Sequence, residues 1–205
     1  NNLLGSLITS DKDVVVNTGS ATGSFGDSNG FQDYGFDQIV GANRIGNEYI
    51  LVKGAGEFRT NPTQNGLAVE NVLIIAHQNN TEIFINGNQL GGPGTSFSAG
   101  DAQVIEGDRF DGNGNMYIRS TLPIFVYQGI SGTATGQANQ GLFFVPPLSC
   151  ESTDDVDEIA FIDSIGSASF PGGVTIVTNE GATVLINGNP IPSSSFLGPI
   201  TTSSG

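Results

Sequence analysis

The chain has 205 residues, of which 37% are hydrophobic, 13% are charged and 30 are glycine. This length is enough for one large β domain or two small ones, each with a hydrophobic core. The 20 acidic and 6 basic residues give a net charge of −14, which argues against nucleic acid and anionic membranes as partners. No apolar stretch approaches the roughly 18 residues of a membrane-spanning helix, so membrane insertion is not expected.

The predicted elements are short strands, because Gly, Asn, Ser and Thr favour turns and exposed strand faces over helices. In chain order, the first strands are expected at residues 7–10, 13–16, 37–40 and 48–52. Val72–Ala76 is an unbroken apolar run that is typical of a central sandwich strand. The alternation around Ile83 and Ile85 leads into Asn86-Gly87, which predicts a hairpin with a type I′ turn.

The later elements follow the same pattern. Residues 117–118 and 124–126 are predicted to be two short strands joined by residues 120–123. No window has helical periodicity with flanking caps, and Ser152–Glu158 is the one stretch with room for a helical turn. Asn79-Asn80-Thr81 is formally a glycosylation acceptor, but we interpret it as a turn, because Asn tolerates positive φ.

An internal repeat is visible when the chain is compared with itself. Ile-Asn-Gly-Asn occurs at 85–88 and again at 186–189, and in both places an apolar run and an Asn-containing turn precede it. Residues 7–16 parallel 117–126, and residues 37–52 parallel 142–162, in the same order both times. The sequence therefore predicts an all-β fold of tandem antiparallel β-sandwich-like modules with little or no helix. We place the first module at residues 1–128 and a second, incomplete one at 129–205.

These motifs resemble the domain family named after the N-terminal region of the IgG-Fc-binding protein. The first copy carries the resemblance in Thr9-Ser10, in Asp37-Gln38 leading to Gly46-x-Glu48-Tyr49-Ile50, in the hairpin from Ala76-His77-Gln78 to Asn86-Gly87, and in Arg119-Ser120-x-x-Pro123-Ile124-x-Val126-Tyr127. The second copy, from Leu142-Phe-Phe-Val145 to Gly173-Val-Thr-Ile176, looks like the version found in very large surface proteins of the Bacteroidota.

The resemblance implies a non-enzymatic adhesion or structural role at the cell surface or in the secreted state. Proteins of this kind are typically exported by the type IX secretion system and resemble gliding-motility adhesins. The implied partner is a protein or glycan on another surface, or another copy or domain of the same surface protein. The shared motifs are turns and strand cores, so they bring no catalytic residues and name no ligand, and immunoglobulin binding by this copy does not follow from them.

Enzymatic chemistry has few candidates among the residues. His77 is the only histidine, and a nucleophile would need it as a base, yet no Gly-x-Ser-x-Gly elbow is present. We predict that His77 is a solvated residue at a strand end. Cys150 follows Pro146-Pro147 and precedes Glu151, where a carboxylate would raise the pKa of the thiol, so we predict a half-buried structural cysteine. With one His and one Cys, a zinc site is not expected.

Calcium is the sharpest positive hypothesis. Asp108, Asp111, Asn113 and Asn115 place oxygen ligands at alternating positions with intervening glycines, as calcium-binding loops do. Leu122 and Arg119 stand where an EF-hand would have its twelfth and ninth residues, so the loop is not an EF-hand. Asp154, Asp155 and Asp157 form a second acidic cluster, and Asp27, Asn29 and Asp33 a third. Plain acidic loops remain the alternative for all three.

The leading hypothesis is therefore an adhesion or structural repeat module of a bacterial surface protein. The first alternative is a carbohydrate-binding module, for which Phe31, Tyr34, Phe36 and Tyr49 are the clustered aromatic candidates, with core packing favoured for Phe36 and Tyr49. A distant alternative is an acidic hydrolase that uses His77 or a close carboxylate pair. The absence of a visible signal peptide indicates an excised fragment. We also expect a further apolar strand downstream of Gly205, or one donated by another chain.

Overall fold

The computed structural model describes residues 3–23, 33–54, 70–130, 141–148, 154–156, 164–165, 167–169 and 174–202. Within these ranges the chain forms strands and three short 3-10 turns but no α-helix, which confirms the all-β prediction. The strands are β1 Val16–Gly23, β2 Asp33–Ile39, β3 Gly46–Val52, β4 Glu70–Ala76, β5 Ile83–Ile85, β6 Asn88–Gln89, β7 Ala102–Glu106, β8 Asn115–Ile130, β9 Gly141–Phe144, β10 Ser164–Ile165, β11 Ala168–Ser169, β12 Leu185–Ile186 and β13 Asn189–Pro190.

Strand β8 is the centre of a seven-stranded antiparallel sheet. One of its edges pairs first with β5 and then with β4, while the other edge pairs first with β3 and then with β9. β6 extends the sheet beyond β5, and β7 extends it beyond β4. All pairs are antiparallel, so the sheet curls around a core instead of stacking helices on its faces.

The two short strands predicted around residues 117–126 are one continuous strand of 16 residues. The prediction of a break was wrong because Pro123, which lacks an N–H, lies where β8 changes partners. β5 pairs as far as Ser120, β4 begins at Ile124, and the register against β3 shifts between Glu48 and Gly46. Proline is tolerated in a strand at such an irregularity, because no ladder hydrogen bond is lost there.

Alternation along β8 builds the core. Met116, Ile118, Ile124 and Val126 all point to one face and are completely buried, as a strand period of two requires. The facing strands contribute further apolar side chains to the same cluster: Tyr49, Leu51, Val72, Ile74, Ala76, Ile83, Ile85 and Ile105, joined by Phe97, Phe110 and Val145 from the connections.

A buried polar link ties three strands together beside this core. The Glu70 carboxylate accepts hydrogen bonds from the Gln128 side-chain amide at 2.6 Å and from the Gly54 N–H at 2.7 Å. The same Gln128 amide donates to the Val52 carbonyl at 3.0 Å. Because buried polar groups need partners, this arrangement fixes the end of β3 against the start of β4 and the end of β8.

The repeat is visible in backbone geometry at the hairpins. Asn86 and Asn187 have positive φ values of 49° and 51°, and each is followed by a left-handed glycine. The Leu90 N–H donates to the Ile83 carbonyl at 2.8 Å, and the Ile191 N–H donates to the Val184 carbonyl at 2.9 Å. The β5–β6 and β12–β13 hairpins therefore have the same turn, as the repeated Ile-Asn-Gly-Asn motif predicts.

A second structural equivalence relates β1–β2 to β8–β9. In the first pair Asn17 lies opposite Gln38, and Gly19 lies opposite Phe36. In the second pair Tyr127 lies opposite Phe144, and Gly129 lies opposite Leu142. The sequence offset of 110 makes β1 the counterpart of residues 126–130, and each of the two strands pairs antiparallel with the strand that follows it. The division into modules at residue 128 stays a prediction, although β9 adds to the sheet that β8 organises.

Two tyrosines are buried on opposite faces of the sheet, Tyr49 on β3 and Tyr127 on β8. The Tyr49 hydroxyl accepts a hydrogen bond from the Gly46 N–H at 2.8 Å and donates to the Ile124 carbonyl. Burial raises its pKa to about 12. Tyr127, which packs edge-on against Phe144 with ring centroids 5.8 Å apart, also has its pKa raised to about 12, first by burial and then by the negative charge of Asp37.

These shifts predict how the stability depends on alkaline pH. Both folded-state pKa values lie above the unfolded value near 10, so the neutral tyrosines stabilise the fold fully below about pH 10. Above that pH the unfolded state ionises first, and each tyrosine removes up to about 1.4 kcal/mol per pH unit until about pH 12. Urea denaturation across this range checks the slope. Tyr127→Phe should flatten it, and a variant whose slope matches the parent chain contradicts the assignment.

Candidate binding face

The outer face of the curled sheet carries aromatic and charged side chains opposite the core. On β8, Tyr117 and Arg119 alternate with the buried Met116 and Ile118, so they point away from the core. Phe84 on β5 lies directly opposite Arg119, and Glu48 on β3 lies opposite it on the other edge. We call Phe84, Tyr117 and Arg119 the binding face, since aromatic and Arg side chains are enriched where proteins contact one another.

Two side chains of the binding face contact each other. The Arg119 guanidinium lies over the Phe84 ring, with its carbon 4.2 Å from the ring centroid. This cation–π contact restrains the guanidinium, and all three side chains of the face are partly exposed. An arginine held in this way loses little side-chain entropy when a partner binds.

An open cleft of ≈ 440 Å³ adjoins the binding face at Tyr117. The turn between β5 and β6 forms one wall, and the segment Pro199–Thr201 forms another. Asn86 fixes that turn to the sheet, because its side-chain oxygen accepts from the Tyr117 N–H at 2.9 Å and its side-chain amide donates to the Arg109 carbonyl at 2.7 Å. The cleft offers both apolar contact and polar backbone groups to a ligand.

The loop predicted to bind calcium lies at the edge of this cleft. One Asp111 carboxylate oxygen accepts from the Asn113 N–H at 2.8 Å and from the Asn115 N–H at 2.9 Å. Asp108 is exposed, and its carboxylate lies 4.0 Å from the Arg109 guanidinium. Within the described ranges, no group of three His, Cys, Asp or Glu side chains is arranged around a common point. The carboxylate of Asp111 thus has a turn-forming role that needs no ion.

Asp111→Ala should therefore destabilise the fold without any added ion. Two backbone N–H groups lose their acceptor, which costs about 1–2 kcal/mol, whereas Asp111→Asn keeps an oxygen in place and should cost less. Thermal melts with and without millimolar calcium check this result and the calcium hypothesis together. If calcium binds, it raises the Tm of the parent chain through linkage and that rise is lost in Asp108→Ala. Equal melts with calcium and chelator remove the hypothesis.

The other acidic clusters are described only in part. Asp154 and Asp155 are exposed, whereas Asp157, Asp27 and Asn29 lie outside the described residues, as does Cys150. Calcium at Asp154, Asp155 and Asp157 stays a prediction. Residues 152–158, the stretch with room for a helical turn, are described only at 154–156.

His77 follows β4 directly and is half-buried. Its ring meets the Phe125 ring edge-on, with the centroids 5.9 Å apart and the planes at 80°. Both residues belong to the outer face of the sheet, so His77 has a packing role beside the end of its strand. The predicted solvated position is thus only half correct, because Phe125 on the neighbouring strand covers one edge of the ring.

Tyr49 cannot serve as an aromatic platform for a sugar. That side chain is completely buried and its hydroxyl is bonded to backbone groups, which confirms the prediction of core packing. Phe31 lies outside the described residues, and of Tyr34 and Phe36 only the backbone in β2 is described. The turn interpretation of Asn79-Asn80-Thr81 is also confirmed, with Asn80 at a φ of 62° and Thr81 fully buried.

Sequence reasoning missed the binding face. Phe84, Tyr117 and Arg119 stand at alternating positions between core residues, and that alternation was the available signal. It became interpretable only with the register that places Phe84 opposite Arg119, because a single strand does not reveal its neighbours.

Within the described ranges, no helix has the length and hydropathy needed to span a bilayer. No curated protein and no solved structure matches the chain. The family model described as IgGFc binding protein matches residues 1–204, which is nearly the whole chain and includes the hairpin, the strand β8 and the binding face. The chain therefore belongs to the IgGFc binding protein family.

Proposed function

We propose that this chain is a non-enzymatic, extracellular adhesion or structural module of a large bacterial surface protein or appendage, of the kind that Bacteroidota export through the type IX secretion system. The observation that carries the proposal is the binding face, where Arg119 lies over the Phe84 ring on the partly exposed side of the sheet. Membership of a family of extracellular binding domains supports it.

The partner is a protein surface that covers Phe84, Tyr117 and Arg119. Stacked Arg and aromatic side chains provide both apolar area and directed hydrogen-bond donors, which is typical of residues that dominate binding energy. The net charge of −14 favours a partner with a basic patch, because complementary charge speeds encounter and excludes acidic competitors. No part of this contact needs a titrating nucleophile or a bound metal.

Binding to an immobilised IgG Fc fragment tests the proposal, because the family description names that ligand. The fragment is presented both intact and enzymatically deglycosylated. We expect binding to both forms, and a loss of at least about tenfold in Arg119→Ala and Phe84→Ala. Val104→Ala is the matched control, since Val104 is exposed on β7, away from the binding face. Circular dichroism shows whether each variant remains folded.

Other outcomes distinguish the alternatives. Binding that disappears on deglycosylation, with unchanged affinity in Arg119→Ala, would favour the carbohydrate-binding module. Binding that survives both binding-face substitutions would move the contact elsewhere on the chain. No binding to either form would contradict recognition of Fc by this copy.

The non-enzymatic assignment predicts that His77→Ala changes no catalytic activity. The parent chain should show no turnover of esters, peptides or glycosides, and the substitution should cost only about 1 kcal/mol of stability through the lost contact with Phe125. Chromogenic substrate panels and urea denaturation measure the two effects. Turnover that disappears in His77→Ala would overturn the assignment and revive the hydrolase alternative.

A further inference from the structure

The segment before β1 is the counterpart of the first half of β8. Residues 7–16 align with residues 117–126 without a gap, and β1 continues this alignment onto residues 126–130. We call residues 7–16 the donor segment. In the first half of β8 the corresponding residues form the centre of the sheet, paired on both edges.

The burial of the two counterparts differs completely. Ile118 and Ile124 on β8 are both 0% exposed, whereas their counterparts Ile8 and Val14 are 58% and 56% exposed. Residues 7–15 form no strand, and every residue from 6 to 15 is exposed. A strand sequence with a core-forming pattern therefore lies unburied on the surface, which is costly in water.

The β12–β13 hairpin shows the complementary exposure. We call residues 184–190 the acceptor hairpin. Its first-copy counterpart, β5–β6, buries Ile85 to 5% exposure by pairing with β8, whereas the matching Ile186 is 51% exposed. Between residues 174 and 199, only Val184 and Ile191 are partly buried, and the other residues are exposed. The hairpin has its turn but lies outside any larger sheet among the described residues.

We infer that the donor segment of one copy of this chain pairs with the acceptor hairpin of a second copy. The first copy shows the register: Ile83 lies opposite Ser120, and Ile85 lies opposite Ile118. Transferred to the counterparts, Val184 lies opposite Ser10, and Ile186 lies opposite Ile8. The pairing buries Ile8, Val14 and Ile186 together, on the face where Ile118, Ile124 and Ile85 are buried in the first copy.

The polar groups at this interface are complementary as well. In the first copy the Asn86 side-chain oxygen accepts from the Tyr117 N–H at 2.9 Å. The counterpart of Asn86 is Asn187, which has the same left-handed backbone, and the counterpart of Tyr117 is Leu7. The Glu82 N–H donates to the Thr121 hydroxyl at 2.9 Å, and the counterparts are Thr183 and Asp11, whose carboxylate is also an acceptor. The two side-chain hydrogen bonds that join the β5–β6 region to β8 in the first copy therefore have donors and acceptors at the counterpart positions.

This contact is heterologous, because the donor segment and the acceptor hairpin are different surfaces. After two copies pair, the dimer still has one free donor segment and one free acceptor hairpin, so the assembly grows head to tail instead of stopping at a symmetric dimer. The charge of −14 on every copy opposes growth, and added salt should promote it by screening that repulsion. The inference is independent of the proposed Fc contact, which uses another face.

The oligomeric state of the 205-residue chain tests the inference. Size-exclusion chromatography with light scattering, over a concentration series and at low and high salt, should show a ladder of species that lengthens with both. Ile8→Asp disables the donor segment and Ile186→Asp disables the acceptor hairpin, so each variant alone should be monomeric. Val104→Asp is the matched control, since Val104 is 52% exposed and Ile186 is 51% exposed, and it should assemble like the parent chain.

Mixing the two disabled variants gives the decisive measurement. Ile8→Asp retains an intact acceptor hairpin and Ile186→Asp retains an intact donor segment, so an equimolar mixture should form a one-to-one dimer and nothing longer. Restored pairing also shows that neither variant is misfolded. A parent chain that is monomeric at every concentration and salt overturns the inference, as does a mixture that stays monomeric or an Ile8→Asp variant that assembles like the parent.

Discussion

Ile118→Ala is expected to lower the free energy of unfolding by about 4 kcal/mol. Ile118 is completely buried at the centre of the sheet, opposite Tyr49 on one edge and Ile85 on the other. Removing three carbons there loses the transfer free energy of the side chain and leaves a cavity that two paired strands cannot easily close. Urea denaturation measures the change.

Its repeat counterpart supplies the control. Ile8 is 58% exposed, so Ile8→Ala in dilute solution should change the stability by less than about 0.5 kcal/mol. At concentrations where copies pair, the same substitution should weaken assembly instead. Similar losses for Ile118→Ala and Ile8→Ala in dilute solution would contradict the burial described for the two segments.

Glu70→Ala should lower the free energy of unfolding by about 3 kcal/mol. The substitution leaves the half-buried Gly54 N–H and one buried donor of the Gln128 amide without their acceptor, and an unpaired buried donor costs more than the hydrogen bond contributes. The carboxylate also joins the ends of three strands, so its loss loosens β3, β4 and β8 together. Equilibrium denaturation in urea reports the loss.

A double-mutant cycle that combines Glu70→Ala with Gln128→Ala isolates the energy of the hydrogen bond between the two side chains. Because the two side chains share one hydrogen bond of 2.6 Å, the cost of the double variant should be smaller than the sum of the single costs, with a coupling of at least about 1 kcal/mol. Glu70→Gln, which keeps one side-chain oxygen, should fall between the parent and Glu70→Ala. Additive losses would show that the hydrogen bond carries no energy of its own.

Much of the fold could be predicted from local sequence. The Asn-Gly pairs predict both hairpins, because the turn needs a positive φ, which Asn86 and Asn187 adopt and which most other residue types avoid. The apolar run Val72–Ala76 identifies a central strand, which the structure confirms as β4. These elements depend on neighbours within a few residues, so the sequence contains what is needed to recognise them.

Features that depend on distant pairing could not be predicted. The continuity of β8 through Pro123 requires knowing that its partners change at that residue, 40 or more positions from either partner strand's start. The binding face requires the register between β5 and β8. The loop at Asp111 is a different case, because its oxygen spacing predicts an ion site and its hydrogen bonds to backbone N–H groups are local; calcium binding there stays a prediction.

The position of β8 in the chain has a consequence for how the molecule folds during synthesis. β3, β4 and β5 leave the ribosome before β8 does, yet each of them pairs with β8. Contacts between β3 and β8 join residues such as Glu48 and Arg119, so closing the sheet requires a long loop to form, and folding with such non-local contacts is slow. Until residue 130 emerges, the early strands expose unpaired edges that invite association with neighbouring chains.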